Sequence, residues 1–296
     1  MQPEPRPLAA ALWMSGSIAG FCALAVAGRE ISPALDTFEM MLYRSLIGLV
    51  IVAGYATMTR RWSAISPRRL DLQLWRNLTH FAGQNLWLAA LLMIPMAQLF
   101  ALEFTSPIMV ALLAPVVLNE PLTRTRLIAA FLGFAGILIV ARPFGGAGLS
   151  LGLGVALLAA VGFAGAAILT KRLTQIVPVL SILFWLTLTQ TLFGLISAGW
   201  DGAIALPLPR VLPWVLVMGV AGILAHLCLT KALSLAPATI VTPIDFLRLP
   251  IIAIVGALFY GEPLDRWVLL GGAVIFAANW LNLWAETRRK GDTVSG

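Results

Sequence analysis

Apolar residues along this chain gather into ten long runs that short polar connections separate. Most runs reach the ~20 residues that an α-helix needs to cross a bilayer core of about 30 Å. They are too long for the strands of a membrane barrel and lack the alternation of apolar and polar residues that such strands show. The pattern predicts an all-α integral membrane protein with ten transmembrane helices, in a single transmembrane domain over residues 1–296. The predicted spans cover residues 8–28, 37–58, 77–94, 96–118, 125–142, 150–170, 179–199, 212–235, 238–260 and 266–285.

A stretch in the middle of the chain returns, in outline, near its C-terminal end. Residues 95–124 align with residues 237–266, since both begin on proline, contain an acid followed by phenylalanine, and end on Glu-Pro-Leu-x-Arg. The acids are Glu103 and Asp245, which occupy the same depth in their apolar runs. Two related halves in a membrane protein are typical of transporters.

The number of spans in each half predicts how the halves are oriented. The first repeat covers about residues 8–142 and the second about 150–286, with five predicted spans in each. Because an odd number of spans brings the chain out on the opposite side, the second half must run upside down relative to the first. We therefore expect two inverted five-helix repeats, an architecture that permits alternating access to a central site.

Composition and charge agree with a membrane protein and predict its orientation. Hydrophobic residues make up 60% of the chain and charged residues 11%, and the mean hydropathy is +0.93. A net charge of +7 would suggest a nucleic-acid partner in a soluble protein, but here the basic residues follow the connections between spans. With the N-terminus in the cytoplasm, fourteen of the 20 Lys and Arg residues lie inside and four outside. The positive-inside rule then predicts cytoplasmic termini and a basic cytoplasmic tail at 287–296. Because orientation accounts for the net positive charge, we expect no nucleic-acid partner.

The third predicted span carries a polar stripe within an apolar environment. Asn77, His80, Gln84 and Trp87 recur at spacings of three and four residues, which places them on one face of a helix. Such a stripe must face the bundle interior or a water-filled cavity, because lipid cannot satisfy its polar groups. Hydrogen bonds between helices are the alternative role for these side chains.

Four charged residues lie deep within predicted spans. Arg44 is in the second span and needs a partner, water or substrate. Asp245 and Arg248 are three residues apart and can neutralise each other along one helix face. Glu103 has no such neighbour on its own helix, which makes it the candidate for reversible protonation.

Prolines mark both halves of the repeat. Prolines within the fourth and ninth spans predict loosened or broken helices, which line binding sites in transporters. The pairs Glu120-Pro121 and Glu262-Pro263 suit the first turn of the helix that follows, where proline needs no hydrogen-bond acceptor and an acid favours the helix dipole.

These features together resemble a known family. The ten spans in two halves of five, the second-span motif Tyr-Arg-Ser at Tyr43–Ser45, and the Glu-Pro pairs after spans four and nine resemble the EamA type of the drug/metabolite transporter superfamily. The similarity extends over about residues 8–286. It implies a multi-pass carrier of the bacterial inner membrane, usually an exporter of small metabolites. Within the superfamily, the chain is most similar to YddG-like amino-acid exporters.

The leading hypothesis is a secondary transporter that exposes a central cavity alternately to each side and exports an amino acid or a similar zwitterion. Arg44 or Arg248 would receive the substrate carboxylate, and Glu103 or Asp245 its ammonium group. The substrate-binding wall would include His80, Gln84, Trp87, Phe104 and Trp185.

Other functions remain open at this stage. Efflux of drugs or lipophilic cations is the main alternative, and a passive channel is a further one. An enzyme is not expected, because two separate histidines and the isolated Cys22 and Cys228 form no catalytic or metal-binding cluster. We accordingly expect no cofactor and no metal. Coupling to protons and facilitated transport driven by the substrate gradient fit the sequence equally well.

Overall fold

A computed structural model of the chain describes residues 6–118, 124–142, 150–235, 241 and 244–294, and these residues form helices and short connections without any strand. One 3-10 turn, Trp62–Ala64, lies in the connection between the second and third helices. The α-helices are α1 Pro7–Ile31, α2 Thr37–Met58, α3 Leu70–Met93, α4 Met96–Glu103, α5 Ser106–Leu118, α6 Arg124–Ala141, α7 Leu151–Leu173, α8 Val179–Ala198, α9 Leu212–Leu235, α10 Arg248–Tyr260 and α11 Arg266–Val294.

Five of the described helices are long and apolar enough to cross a membrane: α1, α2, α7, α8 and α9. Two shorter apolar stretches, Met96–Val110 and Leu127–Ala141, lie in the fourth and fifth predicted spans. The prediction of an all-α, multi-pass membrane protein is therefore confirmed. α11 continues to Val294, so most of the segment predicted as a polar tail belongs to this helix.

The helices pack in pairs, with α1 on α9, α2 on α8, α3 on α7 and α6 on α11. Glycines allow two of these pairs to bring their backbones into contact. A Cβ atom added to Gly162 would lie 2.7 Å from the Cα atom of Gly83, where α7 crosses α3. A Cβ atom added to Gly271 would lie 2.8 Å from the carbonyl oxygen of Gly136, where α11 crosses α6. In a membrane the hydrophobic effect does not drive helices together, so close van der Waals packing must do so. Small residues at the crossings allow this close packing.

The fourth predicted span is broken, as its prolines suggest. α4 ends at Glu103, and α5 begins at Ser106 with Pro107 in its first turn, where the missing N–H needs no partner. The Nδ2 atom of Asn279 in α11 donates to the carbonyl oxygen of Phe104 at the break, over 2.7 Å. This bond satisfies a backbone group that the helix no longer uses, and it keeps the break within the bundle. In the second half, a turn at Leu247 likewise precedes α10.

One end of the bundle, here called the Arg29 end, holds the connections after α1, α3, α8 and α10. Arg29 pairs with Glu262 over 2.8 Å, and Oε2 of Glu262 accepts the backbone N–H of Met96 over 2.8 Å. Arg29 also donates to the carbonyl oxygens of Leu91 and Ile94. These five residues, called the Arg29 cluster, connect α1 to the connection that precedes α4 and to the connection that follows α10.

The second Glu-Pro pair does not have the expected role at the start of a helix, because Glu262 belongs to the Arg29 cluster. α11 begins at Arg266, three residues after Pro263. Asp265, not Glu262, binds its first turn, since its Oδ1 accepts the N–H of Trp267 over 2.9 Å. The pair Glu120-Pro121 lies outside the described residues.

The opposite end of the bundle, here called the Ser66 end, holds the connections after α2 and α7. The Ser66 backbone binds Ser181 Oγ through both its N–H and its carbonyl oxygen, over 3.0 and 2.9 Å. Trp185 Nε1 donates to the same carbonyl oxygen over 3.0 Å. The connection between α2 and α3 is therefore attached to α8.

Candidate functional site

Two neighbouring cavities occupy the interior of the bundle. The central cavity has a volume of about 530 Å³ and the side cavity about 300 Å³. Both volumes fall in or near the range of about 300–1,000 Å³ that is usual for small-molecule sites. The residues that line both cavities are Arg44, Arg76, His80, Thr170 and His226.

The structure brings eight of the nine candidate residues to the wall of the central cavity. They come from α2, from α3, from the end of α4 and the break that follows it, and from the segment that leads into α10. These eight are Arg44, His80, Gln84, Trp87, Glu103, Phe104, Asp245 and Arg248.

Three of these residues form a charged cluster, here called the central triad. Arg248 Nη2 lies 3.2 Å from Glu103 Oε1 and 3.6 Å from Asp245 Oδ2. The Asp245–Arg248 pair along one helix was expected, but Glu103 was expected to have no cation beside it. It has one because α10 packs against α4, and Trp87 Nε1 also donates to Glu103 Oε2 over 2.8 Å. The triad carries one net negative charge when all three groups are ionised.

Aromatic rings hold the guanidinium of Arg248. Its Cζ atom lies 4.6 Å from the ring centre of Phe21, 5.1 Å from Phe100 and 4.9 Å from Phe104. The residue is only 4% exposed. Cation–π contacts of this kind strengthen when water is excluded. Arg248 thus pairs with both carboxylates of the triad through Nη2, while its Nε atom is buried without a hydrogen-bond partner among the described residues.

Asp245 retains an unused acceptor within the cavity wall. Its Oδ2 atom faces Arg248, whereas its Oδ1 atom is buried without a hydrogen-bond partner among the described residues. A buried carboxylate oxygen without a donor is costly. The side chain as a whole is 19% exposed and lines the central cavity, so a cationic group there would face this carboxylate.

Arg44 and Arg76, the arginine pair, lie where the two cavities meet. The Nη1 atom of Arg44 contacts Met41 Sδ at 3.7 Å. Arg76 donates from Nε to Thr170 Oγ1 over 2.9 Å and from Nη1 to Asn77 Oδ1 over 3.2 Å. Neither arginine forms a salt bridge within the part of the chain that the structure describes. This arrangement leaves guanidinium donors for an anionic group.

Arg76 was missed because the sequence placed it in the basic cytoplasmic connection. The helix begins earlier than predicted, at Leu70 and not near residue 77. Arg76 precedes His80 by four residues, and His80 precedes Gln84 by four, so Arg76 extends the polar stripe by one helical turn. That spacing was the available signal for its position on the cavity face.

The two histidines lie together in the shared wall. Gln190 Nε2 lies 2.7 Å from His80 Nδ1, so with the amide as donor the imidazole proton is on Nε2. The ring centres of His80 and His226 are 6.5 Å apart, and Phe163 is 5.9 Å from His80. His226 was not among the candidate site residues predicted from the sequence, and it lines both cavities.

Two residues of the predicted site region serve contacts between helices instead. Asn77 Nδ2 donates to Thr189 Oγ1 over 2.8 Å and to the carbonyl oxygen of Trp185 over 3.1 Å. Trp185 does not line either cavity, because its indole points to the Ser66 connection and binds the Ser66 carbonyl. The polar stripe therefore divides: Asn77 joins α3 to α8, and the rest of the stripe faces the cavity.

The side cavity extends toward one end of the bundle. The side cavity is lined by Thr174 and Val179, which flank the connection after α7 at the Ser66 end. At the other end, the Arg29 cluster ties the connections together. Among the described residues, no three His, Cys, Asp or Glu side chains are close enough to hold a metal ion.

Comparison with known proteins identifies relatives that move small molecules. The sequence model of the EamA-like transporter family matches the chain twice, over residues 8–142 and 150–284. A riboflavin transporter of Rhizobium johnstonii is 33% identical over 227 residues, which is 73% of this chain and 72% of that protein. The pseudopaline exporter CntI of Pseudomonas aeruginosa is 28% identical over 84% of this chain and 87% of its own. An S-adenosylmethionine uptake transporter of Rickettsia bellii is 23% identical over 93% of this chain and 94% of its own.

A solved crystal structure has the same fold. It superimposes with a TM-score of 0.65 at 16% sequence identity, over 94% of this chain and 98% of that one.

Proposed function

The chain belongs to the EamA-like transporter family, and from this we propose that it is a secondary carrier that exports amino acids or similar zwitterions by alternating access. The family confirms that the chain is a membrane transporter and not an enzyme. The names of the relatives describe three different cargoes and both directions of transport. The substrate class of this chain must therefore be argued from its own cavity.

The observation that carries the proposal is the presence of opposite charges on one cavity wall. The central triad has an excess negative charge and an unused acceptor, Asp245 Oδ1. Arg44 has guanidinium donors and no acidic partner among the described residues. An ammonium group at Asp245 and a carboxylate at Arg44 would satisfy both, so a molecule with both groups suits this cavity better than a simple cation or a neutral solute.

The helix pairing supports the proposed inverted halves. If α1, α2, α3 and α6 correspond to α7, α8, α9 and α11, exchanging the halves turns the α1–α9 pair into the α7–α3 pair. The α2–α8 and α6–α11 pairs are exchanged with themselves. All four pairs are among the main contacts of the bundle. Two arrangements of such halves, related by their pseudosymmetry, would expose the central cavity to one side and then the other.

The basic residues support the proposed orientation, in which the Ser66 end faces the cytoplasm of a bacterial cell. Arg60, Arg61, Arg68 and Arg69 lie in the connection at this end. Both termini would then be cytoplasmic. Because the side cavity extends toward this end and joins the central cavity at the arginine pair, the described conformation would load its substrate from inside, as an exporter requires.

Counterflow in liposomes tests the proposal. Purified protein is reconstituted into liposomes preloaded with single unlabelled amino acids, and entry of the labelled forms is measured with and without a pH gradient. We expect saturable exchange of some amino acids, and at least a 10-fold loss in Asp245→Asn. Asp71→Asn is the matched control, since it removes a carboxylate whose side chain is 63% exposed, in an ion pair at the Ser66 end.

Each outcome of this assay selects one function. Exchange that fails for every amino acid but succeeds for a lipophilic cation would replace the proposal with drug efflux, to which the Phe21, Phe100 and Phe163 rings of the cavity are suited. Flux that does not saturate would indicate a channel. A response to the pH gradient would indicate proton coupling, whereas its absence would indicate a facilitated carrier.

A further inference from the structure

The junction of the two cavities carries more positive charge than a simple amino acid can use. Arg44 and Arg76 both line the two cavities there. One carboxylate satisfies one of these guanidinium groups or is shared between them. We propose that the preferred substrate is an amino acid with a second carboxyl group, whose two carboxylates bind Arg44 and Arg76 while its ammonium group binds Asp245. This inference rests on the proposed function and specifies its substrate class.

The charges around the central cavity support a substrate with a net negative charge. Three arginines and two carboxylates line it, so these groups leave one net positive charge. A zwitterionic amino acid would not change that sum. An amino dicarboxylate has one net negative charge and would bring the sum to zero. Uncompensated charge within a membrane protein is costly, so the neutral sum favours the dicarboxylate.

Local contacts hold both guanidinium groups in position. Arg76 is fixed by Thr170 and Asn77. Arg44 lies against α9 where Gly222 leaves room for it, since a Cβ atom added there would be 3.0 Å from Arg44 Nε and 3.2 Å from Nη2. A guanidinium group has five N–H donors, and the contacts of Arg76 use only part of them. Preorganised donors of this kind suit carboxylates, which accept hydrogen bonds from arginine in pairs.

The space beyond the arginine pair can hold the rest of a larger substrate. The side cavity continues past Arg44 and Arg76 and is lined by apolar residues such as Ile182 and Ile223, with Thr187 and Thr230 among them. A substrate whose carboxylates lie at the junction can therefore extend into the side cavity.

L-Glutamate and L-glutamine provide matched probes, because they have nearly the same shape and differ by one carboxylate. In the counterflow assay, we expect a half-saturation concentration for glutamate at least 10-fold below that for glutamine. Arg76→Gln should raise the value for glutamate at least 10-fold and change the value for glutamine less than 3-fold. Arg76→Lys, which keeps the charge, should recover part of the preference. Thermal melting in detergent checks that each variant is folded, and the comparison of glutamate with glutamine in the unmodified protein tests the inference if Arg76→Gln is not.

Two results would overturn the inference. One is exchange of glutamine that equals or exceeds exchange of glutamate in the unmodified protein, which leaves the proposed function intact. The other is an equal loss for both probes in a folded Arg76→Gln protein, which would show that Arg76 does not distinguish them. Failure of every amino acid to exchange would instead remove the proposed function and this inference together.

Discussion

The Arg29 cluster should keep one end of the bundle closed, and Glu262→Gln should weaken it. Arg29 and Glu262 are 2.8 Å apart with side chains only 19% and 11% exposed, so water screens them weakly. Glutamine can still accept the N–H of Met96, but it loses the charge that faces Arg29. A hydrogen bond to a charged group contributes about 1.5–3 kcal/mol. Since about 1.4 kcal/mol is a factor of ten, the population open at this end should rise roughly 10- to 100-fold.

Alkylation of a single cysteine measures this population. Leu24 lines the central cavity in α1, and Leu24→Cys would be introduced after Cys22 and Cys228 have been replaced by serine. A membrane-impermeant maleimide is added to each side of the membrane in turn. From the Arg29 side, we expect labelling of the Glu262→Gln protein to be 10- to 100-fold faster.

Asp265→Asn is the matched control for this experiment. Asp265 pairs with Arg142 at the same end, but the side chains are 21% and 48% exposed. Exposed pairs contribute about 0–1 kcal/mol, and asparagine can still accept the N–H of Trp267. Labelling should change less than about 5-fold, which 1 kcal/mol allows. Unchanged labelling of a folded Glu262→Gln protein, or an equal rise in both variants, would refute a closing role for the Arg29 cluster.

Three further substitutions test the packing and the site. Arg248→Gln leaves the two carboxylates of the central triad without a cation, so we expect a loss of about 3–5 kcal/mol in stability; an unchanged melting temperature would contradict this. Gly271→Leu should force α11 away from α6 and cost at least about 1–3 kcal/mol, and a protein that melts normally would show that the helices can separate cheaply. Trp185→Phe removes the bond to Ser66, a loss of about 1 kcal/mol, and should leave the half-saturation concentration unchanged. A large rise in that concentration would return Trp185 to the substrate site.

Local pattern was sufficient for the all-α membrane class and for most residues that line the central cavity. Runs of apolar residues long enough to span a bilayer indicate membrane helices whatever their neighbours are. Pro107 likewise marks a helix break through its own missing N–H. Polar or charged residues deep in such runs must face the interior, which is why Arg44, His80 and Gln84 could be selected as candidates.

The partners of these residues depended on which helices pack together. Glu103 lacks a cation on its own helix and gains Arg248 from a helix more than a hundred residues away. Glu262 appeared to begin a helix and instead pairs with Arg29 of α1. Trp185 is an aromatic residue of the kind that lines cavities, but its indole N–H donates to the Ser66 carbonyl oxygen. Periodicity tells which face of a helix is buried, whereas the identity of the opposing helix is a long-range property, and it is the opposing helix that turns a buried charge into an ion pair or a binding group.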